Sequence, residues 1–124
     1  MAGGAEVGGG PTGPQVVLPE KTPDLLAFLK ENAAQVKQLL DEGNLGGMWY
    51  PALNAKDAGL ALDAIHHDGL NDAQRAKLAS AVKQLTVLAW QIDAAGDLGN
   101  RTQLDQLTSQ FQAVVSDILT VYGQ

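Results

Sequence analysis

Residues 71–122, NDAQRAKLASAVKQLTVLAWQIDAAGDLGNRTQLDQLTSQFQAVVSDILTVY, read as two amphipathic helices joined at Ala94-Ala95-Gly96-Asp97-Leu98-Gly99-Asn100. That join is a Gly-punctuated turn with a capping residue at its end. In the first half, Leu78, Ala81, Val82, Leu85, Leu88, Ala89 and Ile92 recur at steps of three and four, which places them on one face of a helix. Leu104, Leu107, Phe111, Val114, Ile118 and Val121 do the same in the second half. Two such stripes facing each other leave each helix open on one side, so the hairpin needs a second pair of helices to bury the remainder.

The preceding residues supply that pair. Thr22-Pro23-Asp24 is a helix start: a hydroxyl cap, a proline at the first helical position and an acid where the helix dipole favours it. The helix that follows runs to about Glu42 on a stripe of Leu25, Leu29, Ala33, Val36 and Leu40, with Leu26, Phe28 and Leu39 on its flanks. Gly43-Asn44-Leu45-Gly46-Gly47 ends it. A second helix begins near Met48-Trp49-Tyr50-Pro51, because proline is tolerated only in a first turn, and reaches about His67. Leu53, Ala58, Leu60, Ala61, Leu62, Ala64 and Ile65 give it a wide apolar surface. Asp68-Gly69 closes it, and Asn71 with Gln74 opens the third helix in capping-box spacing. Asn100 and Gln103 repeat that spacing at the fourth. Short connections between helices of similar length predict an all-α, antiparallel up-down-up-down four-helix bundle.

Composition agrees with one packed domain over residues 20–124 of the 124-residue chain, with 45% hydrophobic and 5% aromatic residues. Residues 1–19 are rich in Gly and Pro, nearly uncharged and without periodicity, which predicts a disordered leader. Such a leader is what an excised export signal leaves behind, or what links a domain to something upstream; of these, export is favoured, and the expectation is a periplasmic or secreted domain. No apolar run is long enough to span a bilayer, and membrane insertion is not expected. A net charge of −6, with a pI of about 4.6, opposes binding to phosphate backbones, so a nucleic-acid partner is not expected. The chain contains no cysteine, which removes disulfides, thiolate nucleophiles and C-x-x-C-H haem attachment.

The turn Leu45 to Leu62 and the segment Ile92-Asp93-Ala94-Ala95-Gly96-Asp97-Leu98-Gly99-Asn100 resemble small exported bacterial four-helix bundles of the cytochrome c-prime and soluble b-type cytochrome plan. The resemblance spans about residues 22–122 and implies the same bundle fold. Those cytochromes hold haem through a histidine on the last helix, with a methionine on the first or a C-x-x-C-H motif. Here the fourth helix has no His, the first no Met and the chain no Cys, so no haem or other cofactor is expected.

Three constellations remain as candidate sites. His66-His67-Asp68 is the only histidine cluster; neighbouring helical residues point about 100° apart, so both imidazoles reach one Cu, Ni or Zn ion only from a frayed last turn. The alternative is two solvated histidines at the negative end of a helix. Asn32, Asn54 and Asp57 project onto the inward sides of the first two helices at similar height, forming either an interior polar network that fixes register or a ligand site. On that projection, Asn54 and Asp57 lie opposite Lys56, Asp63 and His66. Trp49, Tyr50, Val87 and Trp90 form a candidate interaction surface; alternatively, Trp49 and Trp90 cover one end of the bundle as a lid. Asp93, Asp97 and Asn100 lack the spacing of a calcium loop. With no nucleophile and base in catalytic spacing and no phosphate-binding loop, an enzyme is not expected. The reading is a non-enzymatic domain acting through a protein partner or homodimer; the alternative is a small-ligand or transition-metal-binding bundle of the periplasm.

Overall fold

The computed structural model describes residues 17–124, and among these are four α-helices and no strand. They are α1 (Thr22–Glu42), α2 (Trp49–Ile65), α3 (Asp72–Leu98) and α4 (Arg101–Val121), with a single 3-10 turn at Leu45–Gly47. Most of the expected leader, residues 1–16, lies outside the described residues. Its last part does not behave as free chain throughout, because Leu18 packs against the core while Val17 stands in solvent.

The helix ends follow from local chemistry, with two corrections. Thr22 does not cap α1: Lys21 holds the N-cap position without a side-chain bond, and the Thr22 hydroxyl instead meets His66 Nδ1 at 2.8 Å. The expected turn over 94–100 shrinks to Gly99 and Asn100, because α3 continues through Gly96 to Leu98. Gly99 then stops it at φ 66°, the left-handed region that glycine enters without penalty. The Asn71 and Gln74 capping box is complete, each side chain bonding the other's backbone N–H at 2.8 Å. Asn100 caps α4 in part, accepting from the Gln103 N–H at 3.2 Å.

The stripes expected for α1, α3 and α4 are all buried, around Phe111 as the bulkiest fully enclosed side chain. Helix α2 is where the reading was rotated. Its inward face is Ala52, Ala55, Ala58, Gly59 and Leu62, while Leu60 and Ile65 are exposed. A helix apolar on most sides carries little phase information, so its pattern alone did not fix which side turns inward. The small residues on that face let α3 come close: a Cβ added to Gly59 would stand 3.0 Å from Leu85 Cδ2.

Packing runs between consecutive helices, and α1 also packs on α4. Thr22, at the start of α1, meets His66, which caps the end of α2. The Tyr122 hydroxyl, just past α4, donates to the His66 carbonyl at 2.8 Å. At the opposite end of α2, a Cβ on Gly96 would lie 2.6 Å from the Leu45 carbonyl oxygen. Only glycine lets the last turns of α3 approach that connection so closely. Among the described residues, no helix is long and apolar enough to cross a membrane.

Candidate functional site

The aromatic candidates do not form a single lid. Trp49 and Tyr50 begin α2 and meet each other edge to face, with ring centroids 5.5 Å apart. Trp90 is engaged elsewhere, its ring 5.1 Å from Lys56 Nζ. Lys56 reaches it with an aliphatic stem that is largely covered, its side chain only 14% exposed. The indole is thereby held against α2 while 52% of Trp90 remains in solvent. Val87 lies one turn back on the outer side of α3, 54% exposed, and lines a groove of about 480 Å3 between α3 and α4. The sequence missed Lys56 as part of this surface because only the packing of α2 on α3 brings it to the Trp90 ring.

The same rotation of α2 divides the polar trio. Asn32 is buried as expected, donating from Nδ2 to the Phe28 carbonyl at 2.9 Å and accepting from Asn54 Nδ2 at 3.3 Å. Asp57 does not join them. Its side chain is 48% exposed and pairs with Lys56 at 2.9 Å, on the side opposite the Ala55 and Leu62 face. The interior cluster is therefore an amide pair without a carboxylate. Two amides that satisfy each other and a helix carbonyl link α1 to α2 without placing an ionised group in the core.

His66 and His67 fall just beyond α2 rather than in its last turn. His66 is occupied on both sides: its ring shares the bond with Thr22 and its carbonyl takes the Tyr122 hydroxyl. His67 Nδ1 is buried with no hydrogen-bond partner among the described residues. No group of three or more His, Cys, Asp or Glu among those residues is placed to hold a metal ion, so His66, His67 and Asp68 do not converge as a chelate. Burial raises the Tyr122 phenol above its ordinary pKa, with a smaller push in the same direction from Asp63. Burial likewise raises Asp93, and Asp97, one turn further along α3, adds like-charge repulsion.

A second group of residues went unremarked in the sequence. Thr108 falls on the inward face of α4 beside Leu104 and Phe111 and is only 2% exposed, yet its hydroxyl has no partner among the described residues. Gln112, one turn on, donates across to the Ala33 carbonyl of α1 at 2.7 Å. A threonine inside an apolar stripe was the available signal. No protein family, curated protein or solved structure matches the chain, so the cytochrome resemblance rests on helix lengths and turn chemistry alone.

Proposed function

We propose that the protein is a non-enzymatic, antiparallel up-down-up-down bundle that acts by self-association through the outer face of α3. The pairing of helix ends supports the topology: the start of α1 with the end of α2, and the end of α3 with the connection into α2. The observation that carries the functional reading is Trp90, exposed on one side and fixed by Lys56 on the other. A large aromatic group already held in place loses little conformational freedom on contact, which is the property of an interface anchor.

The local pair of opposite charges beside the patch, rather than the net charge of −6, favours a second copy of this chain as the occupant. Lys56 lies against the indole and pairs with its chain neighbour Asp57, and a two-fold axis through the patch would exchange their partners between copies. Val87, one turn from Trp90, extends the apolar contact.

Sedimentation equilibrium over a wide concentration range tests this. The native chain should show a concentration-dependent dimer, and Trp90→Ala should weaken it by about 2 kcal/mol while leaving helix content unchanged. A native chain that stays monomeric at high concentration removes the proposal.

A further inference from the structure

The outer side of α3 carries two features that lean opposite ways from Val87. Trp90 leans toward α2, where Lys56 Nζ stands 5.1 Å from its ring, and Gln84 leans toward α4, where it lines the groove of about 480 Å3. Trp90 and Gln84 stand three residues to either side of Val87. Each is therefore displaced from it by about 4.5 Å along the helix and about 60° around it, in opposite senses. Two positions so placed are related by a two-fold axis that passes through Val87 perpendicular to α3. A second copy brought onto that axis lays its Trp90 over Gln84, at the groove, and receives the first copy's Trp90 in return.

The groove matches what would arrive. Its floor is Leu88 and Val114, which at 8% and 7% exposure still present apolar surface to an incoming ring, and Val87 and Ala113 form its sides. Asp117 alone among its lining residues is charged, and it is exposed and has no ion pair among the described residues. An indole is apolar over both faces and donates one N–H from its edge. That N–H of Trp90 has no hydrogen bond among the described residues, and acceptors stand at the groove's rim on Gln84, Gln110 and Asp117. Lys56 travels with the indole, and the same axis carries its ammonium to the α4 side of the second copy, where Asp117 stands. With three donors, that ammonium keeps Asp57 and gains Asp117. The glutamine amides donate as well as accept, so it is the register about Val87 and the Lys56 cation that single out Trp90 of a second copy.

Resting on self-association through α3, we propose that the α3–α4 groove of each copy receives Trp90 of the other, with Lys56 of each meeting Asp117 of the other. The two indoles then lie on opposite sides of the axis and do not stack on one another.

Sedimentation equilibrium of the full chain tests this with Ala113→Arg and Asp117→Lys, both at exposed positions, with circular dichroism to verify unchanged helix content. The dimer should weaken by about thirtyfold and about tenfold respectively, although each change makes the chain less negative and so eases any general repulsion. Mixing Trp90→Ala with Ala113→Arg, one of them fluorescently labelled, is the decisive arm. The first chain keeps an intact groove and the second an intact indole, so the mixed dimer regains one of the two contacts. It should come within about fivefold of native affinity, which neither chain alone should reach. Native affinity in both groove variants, or a mixture no tighter than its components, would overturn the groove docking while leaving self-association in place. A native chain that stays monomeric would remove both.

Discussion

Asp57 and Asn32 were assigned to one interior cluster from the sequence, and truncating each should now have a different result. Asp57→Ala removes a half-exposed side chain paired with its chain neighbour, so stability should change by no more than about 0.5 kcal/mol. Asn32→Ala removes both hydrogen bonds made by a buried side chain and strands the Asn54 amide; urea denaturation should show a loss of about 1 to 2 kcal/mol. Asn32 was legible because the α1 stripe is clear around it. Asp57 was not, since the apolar residues of α2 spread over most of its sides and do not fix which side turns inward. Asp93 carries a pH dependence whose sign is opposite to that of a salt-bridged acid. Burial and Asp97 raise its pKa in the folded chain, so its proton is held more tightly there than in the unfolded chain. Stability from this group is highest at acidic pH and is lost as pH rises from the ordinary carboxylate range through the raised value. Asp93→Asn should therefore increase the melting temperature at neutral pH, with the gain over native shrinking near pH 4; melts of both chains at the two pH values check this.

At the scale of whole elements, three helices announced their inward faces and the capping box announced the start of α3. Two ends were misread for a shared reason: a residue with a well-known local role had been taken up by a distant contact. Thr22 has the chemistry of a cap but bonds His66, forty-four positions away, and Gly96 has the look of a helix terminator but lies inside α3 against Leu45. Local propensity cannot register a partner that only the tertiary fold brings near. The N-terminus of α1 is consequently left without a side-chain cap and with a lysine at the cap position, whose backbone at φ −91° and ψ 142° already has the shape of a capping residue. Lys21→Asp should supply the missing acceptor and remove a cation from the positive end of the helix. Thermal denaturation should show a gain of about 1 kcal/mol.

For the molecule as a whole, the number of helices and the make-up of most of the core were readable, whereas the surfaces that could do something were not. Trp90 depends on a lysine from another helix, and the groove beside Val87 forms only where α4 lies against α3. Such features arise from pairs of elements, and a single periodic pattern does not encode them. The close approach of Gly96 to the Leu45 carbonyl also bears on how the protein opens. With backbone against backbone and no side chain between them, the chain entering α2 has no soft layer that would let it loosen while the end of α3 stays put. The two segments should therefore belong to one cooperative unfolding unit, despite lying on either side of α2 and most of α3. In native-state hydrogen exchange, the amides of residues 45–48 and 96–100 should exchange with one common opening free energy, and Gly96→Ala should lower it for both segments together. Separate opening energies would mean that the contact transmits nothing. If they coincide, the smallest residue in α3 is the point through which two segments far apart in sequence sense each other's breathing.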